Sequence, residues 1–94
     1  MAIPSWPFKD PDELLDYEID WSARLDTDTI TVSTWEINGP DAVLTTPTDS
    51  FTDTATVIWL DAGTLGAVYT MTNHIQTAGG REMDQSVKLR IKTK

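Results

Sequence analysis

Few residue types in these 94 residues can do chemistry, and they are scattered. The only histidine, His74, stands in Thr72-Asn73-His74-Ile75-Gln76-Thr77. A catalytic imidazole needs a nucleophile or an orienting carboxylate within reach, and its neighbours in sequence supply neither. His74 therefore reads as a surface or interface residue. A glycosidase would need two carboxylates facing each other across a cleft, and the short connections here leave little room for one. Asp10-Pro11-Asp12 and Asp26-Thr27-Asp28 are only fragments of a calcium loop. Gly79-Gly80 suits a hairpin turn better than a phosphate cradle. With no cysteine there is no disulfide, thiolate metal site or cysteine nucleophile. The expectation is a chain with no catalysis, no cofactor and no bound metal.

What must be positioned is instead a set of contact residues. The first eight residues hold Pro4 and Pro7, so they are extended rather than helical. They carry Ile3, Trp6 and Phe8, which a self-contained domain has little use for in water. Trp6 between Ser5 and Pro7 reads as an interface anchor in a neighbouring subunit. The alternative is that the arm folds back and caps its own sandwich. Residues 9–15 read as a hinge that sends the arm away from the domain, with Asp10 as a possible cap and Pro11 in the first turn.

Net charge is −8. Such acidity repels phosphate backbones, and no apolar run approaches the ~20 residues of a membrane span. Neither nucleic acid nor membrane is an expected partner, and no secretory signal is expected. Acids crowd the first third, Asp10 and Asp12 among them. Lys88, Arg90, Lys92 and Lys94 crowd the last seven residues. Acidic and basic ends could attract one another, within a chain or between copies, or simply be two solvated faces.

Strand periodicity governs the rest. Residues 16–21 alternate Tyr17, Ile19 and Trp21 with acids, and 22–25 form the irregular end of that strand. Residues 29–37 form a second strand with a bulge expected near Ser33-Thr34. A short strand is expected at 42–45, a polar loop at 46–53, and a central strand at 54–60. A long strand over 65–77 places Ala67, Tyr69, Met71, Asn73 and Ile75 on one face. A turn at Ala78-Gly79-Gly80-Arg81 leads to a last strand at 83–92, with Val87, Leu89 and Ile91 inward and Lys88, Arg90 and Lys92 outward. Trp35 and Trp59 are expected to fill the core and Trp21 to lie in it or at its edge. About seven short strands without a helix of any length is the pattern of an all-β sandwich.

The residues from Lys9 onward also carry a resemblance. Lys9-Asp10-Pro11-Asp12, Leu15-Asp16-Tyr17, Asp20-Trp21, Asp28-Thr29-Ile30 and Ser33-Thr34-Trp35 begin it. Thr54-Ala55-Thr56-Val57, Trp59-Leu60, Gly63-Thr64, Gly66, Tyr69, Thr72-Asn73, Ile75, Thr77 and Gly80-Arg81 complete it. Together they resemble the small virion proteins of tailed bacteriophages known as fiber–tail adaptor or head–tail neck proteins. The chain departs from that pattern at Arg24, His74 and Gly79. The resemblance implies an immunoglobulin-like antiparallel β-sandwich (residues 16–94) with an extended N-terminal arm and hinge (residues 1–15).

It further implies a structural protein of the phage particle, bound to neck, tail, portal, adaptor or fiber subunits and forming a homo-oligomeric ring. Ile3, Trp6, Phe8, Asp10, Asp12, Lys88 and Arg90 are the expected partner-binding residues. Two other roles stand beside it: a capsid decoration protein, and a glycan-binding module on a host-recognition fiber with Trp21 or Tyr69 as its aromatic platform.

Overall fold

A computed structural model describes residues 3–94. The order of elements is β1 (Leu15–Asp20), α1 (Ser22–Leu25), β2 (Ile30–Asn38), β3 (Asp49–Phe51), β4 (Ala55–Leu60), β5 (Val68–Thr77) and β6 (Glu82–Arg90). Two antiparallel three-stranded sheets, β1-β4-β3 and β2-β5-β6, pack as a sandwich. The arm adds a seventh extended segment: Ser5 bridges Lys88 and Lys9 bridges Ile91, both in parallel. This order is compatible with the immunoglobulin arrangement, where B-E-D faces C-F-G, and the arm pairs with β6, in the position of strand G.

Two further features suit that arrangement. Tyr69 lies at the start of β5 with its ring buried; its hydroxyl meets the Asp41 carboxylate and accepts the Thr64 N–H (3.1 Å). It ties the end of the sheet to the loop upstream, as the tyrosine corner does in immunoglobulin domains. Two residues on, Met71 is wholly buried where an antibody domain carries its second cysteine.

Without a disulfide, the sheets are joined through Asn73 on β5. Its Oδ1 accepts Trp21 Nε1 (3.0 Å) and Thr56 Oγ1 (2.7 Å), both from the β1-β4-β3 side. Its Nδ2 donates to Ser33 Oγ and to the Thr34 carbonyl, each at 3.0 Å, on β2. The amide thus has both lone pairs and both protons engaged, which makes its complete burial tolerable.

On either side of this node lie two apolar clusters. Tyr17, Leu44, Ile58, Leu60, Tyr69, Met71, Leu89 and Ile91 form one; Ile19, Trp21, Leu25, Ile30, Ile75 and Val87 form the other. Trp6 and Trp35 pack against both.

Several details differ from the sequence reading. The bulge falls between Ile30 and Val32, not near Ser33-Thr34. A one-residue slip there turns Ile30 to the same face as Ser33, Trp35 and Ile37, which simple alternation cannot do. Residues 42–45 contribute one isolated bridge, Thr45 to Asp61, and the expected polar loop contains β3. Residues 22–25 form a single helical turn. Trp59 is 36% exposed, because Thr56, Ile58 and Leu60 take the inward positions of β4. Trp35 is only half-buried, and its indole N–H has no hydrogen-bond partner among the described residues.

Replacing Asn73 by Ala removes four hydrogen bonds and strands buried donors and acceptors in both sheets. A loss of about 2–4 kcal/mol is expected from such stranded groups, read as a lower urea midpoint with an unchanged slope.

Candidate interaction surfaces

The arm does not leave the domain. It lies along the outer edge of β6, with Trp6 N donating to the Lys88 carbonyl (2.9 Å) and Lys88 N to the Pro4 carbonyl (3.0 Å). Lys9 N then donates to the Arg90 carbonyl (3.0 Å), and Lys92 N to the Lys9 carbonyl (2.8 Å). The Trp6 ring stacks on Tyr17, centroids 4.8 Å apart, and meets Trp35 at 6.1 Å. The reason is geometric: β1 and β6 are edge strands of different sheets, and the seam between them is open until an aromatic fills it. The alternative reading, an arm that caps its own sandwich, describes this chain. Met1 and Ala2 lie outside the described residues.

Lys9 locks the base of the arm. It is fully buried, and its ammonium donates to the carbonyls of Ala62 (2.6 Å) and Asp10 (2.9 Å). Ala62 has φ of 62°, a left-handed conformation that costs a residue with a Cβ about 1 kcal/mol or more, and the Lys9 contact holds it there. Burial pushes the Lys9 ammonium's pKa down, while Asp61 and the nearby acids pull it back up. Nothing in the alternation around Lys9 marks it as buried, and by sequence it belongs to the hinge.

The hinge acids serve their own chain. Asp10 accepts the Asp12 N–H through Oδ1 (2.9 Å) and the Lys94 N–H through Oδ2 (3.0 Å), and these donors hold its carboxyl below the usual range. Glu13 meets Lys94 Nζ at 2.8 Å. Of the expected contact acids, only the Asp12 carboxylate has no partner among the described residues. Ile3 (43%) and Phe8 (39%) are exposed, and the Lys92 and Lys94 ammonium groups lie 5.1 and 5.8 Å from the Phe8 ring centre.

Both outer faces of the sandwich are exposed, and they differ in charge. On β6, Lys88 and Arg90 point outward beside Ser5, Trp6 and Val68. On the opposite sheet, Asp16, Glu18 and Asp20 form an outward row, paired in register with Trp59, Val57 and Ala55. The alternation of residues 16–21 already marks this acidic face, although Asp10 and Asp12 are the expected contact acids. Trp21 and Tyr69, candidates for a glycan platform, are buried at 1% and 0% exposure and cannot form one.

His74 proves to have the carboxylates that its sequence neighbours lack. Register pairs it with Asp84 on β6; Nδ1 meets Asp84 Oδ1, and Nε2 meets Glu82 Oε1 at 3.1 Å. Both ring nitrogens face acceptors, so the imidazolium fits this cradle best. The bond to Asp84, then that to Glu82, raises its pKa above 6.5. The cradle lies on an exposed, flat face, where it braces the hairpin.

Two measurements probe these surfaces. Trp6→Ala should destabilise the domain by about 2 kcal/mol, roughly half the cost of a fully buried tryptophan, in urea melts. For His74, a folded pKa above the unfolded 6.5 means its stabilising contribution is complete below pH 6.5 and is lost as pH rises through the folded value. An NMR titration should place the imidazole midpoint above 6.5, and Asp84→Asn should lower it.

No curated protein matches the chain. One family does: podophage GP4 fiber-tail adaptor protein gp77, over residues 9–90. That region begins at the buried Lys9, takes in all six strands and omits the Trp6 arm. The chain belongs to this family of phage fiber-tail adaptor proteins.

Proposed function

We propose that this protein is a non-catalytic adaptor of a podophage tail, arranged as a ring of identical copies that joins fibers to the rest of the particle. The family match carries the adaptor role. The ring rests on two patches of opposite charge, the acidic row of β1 and the Lys88–Arg90 end of β6. Asp16, Glu18 and Asp20 on one side complement Lys88 and Arg90 on the other. A contact between unlike faces is head-to-tail, and such contacts close into rings when the rotation permits. Exposed charge pairs of this kind set orientation and encounter rate more than affinity, so the contact should weaken with salt. Partner-facing roles for Ile3, Phe8 and Asp12 belong to the same reading, since their side chains remain available once the arm is docked. His74 holds its hairpin together and performs no proton transfer.

Charge exchange tests the arrangement. Lys88→Glu/Arg90→Glu makes both faces acidic; Asp16→Lys/Glu18→Lys makes both basic. Each variant alone should stay monomeric by light scattering, while an equimolar mixture should associate. Association of either variant alone to the wild-type extent would overturn the pairing. Counting copies in purified particles separates a tail ring, on the order of ten copies, from a capsid decoration protein with hundreds.

A further inference from the structure

We propose that the arm is exchanged between copies: in the assembled protein, Ser5 and Trp6 of one copy occupy the seat on β6 of its neighbour. The seat is the β6 edge around Lys88 together with the aromatic slot between Tyr17 and Trp35. Its occupant is known, because the chain's own arm fits it, and every contact the arm makes is available equally from a second copy.

Four observations favour exchange. The arm ahead of Pro7 is held by two backbone hydrogen bonds and one side chain, so its release exposes little else. Its base is fixed separately, since Lys9 is bonded to Ala62, Arg90 and Lys92 and none of those bonds involves Trp6. The seated arm is also loosely flanked. A cleft of about 340 Å³ lies on one side of it, lined by Ser5, Trp6, Val68, Lys88 and Arg90. Another of about 250 Å³ opens on the other side, among Pro4, Trp6, Glu18, Asp20 and Val87. Finally, Ile3, Phe8 and Val68 are left 39–43% exposed around the closed arm, apolar surface that a neighbour docked at this edge would cover.

Pro7 and Phe8 form the link. Lys9 to Trp6 is three extended steps, about 10 Å, so only a copy standing alongside can receive the arm. Such a neighbour is what the ring supplies, and on that reading the exchange rests. Once copies are adjacent, the local concentration of each arm is high, and an exchanged arm strengthens the contact without needing any new complementary surface.

The chain has no cysteine, so an introduced pair reports cleanly. Ser5→Cys with Lys88→Cys places thiols on bridged residues. The variant is assembled with Arg90 intact, its assembly confirmed by light scattering, and then oxidised and run on a non-reducing gel. Most cross-linked chain should migrate as dimers or larger. Assemblies whose cross-links all lie within one chain, or that form none, overturn the exchange and leave the ring standing. Wild-type protein that itself stays monomeric under the same conditions removes the ring and the exchange together.

Discussion

Two sheets with no covalent tie between them must be held in one register, and a single side-chain amide does it. Asn73 receives bonds from Trp21 and Thr56 of one sheet region and gives bonds to Ser33 and Thr34 of the other. Apolar packing is tolerant of sliding; a fully engaged buried amide is not, because a small displacement leaves several polar groups unsatisfied at once. The two hydrophobic clusters then pack around a fixed point. Trp21 follows from the same constraint: its indole N–H has to reach the node, so its ring is drawn fully inward although it stands at the end of β1.

Much of this architecture can be read from the chain where one face of a strand is apolar and the other is not. Residues 83–92 announce β6, and Tyr17, Ile19 and Trp21 announce β1, because their alternation has a single explanation. Legibility fails where geometry between strands decides. The bulge at Ile30–Val32 changes a face without a glycine or proline to mark it. β3 is three exposed residues whose existence depends on β4 being beside them. Trp59 looks like core, yet it alternates with Thr56, Ile58 and Leu60, which places it outside. The His74 cradle is assembled across a hairpin, so neither Glu82 nor Asp84 stands near it in sequence.

The arm shows a related limit. Its apolar residues are readable as binding residues, but sequence alone does not say whose surface they bind. In this chain Trp6 binds its own sandwich while Ile3 and Phe8 remain in water. Lys9 is harder still: a buried lysine becomes sensible only when the carbonyls of Asp10 and Ala62 are seen to converge on it.

Function follows from how these parts divide the labour. The node and its clusters make a rigid body, and Asp10 and Glu13 of the hinge are consumed in fastening it to Lys94. Internal bonding leaves unused, among other side chains, Asp16, Glu18 and Asp20 beside Trp59, and Lys88 with Arg90 beside the arm, the patches on which the proposed ring rests. An adaptor must bind on more than one side at once. A sandwich meets that need economically, because its two outer faces point in opposite directions and can differ in charge without disturbing the core between them. In the exchange proposed above, the arm adds what charged faces lack, since exposed ion pairs orient a contact but hold it weakly, whereas an aromatic seated in a slot holds it firmly.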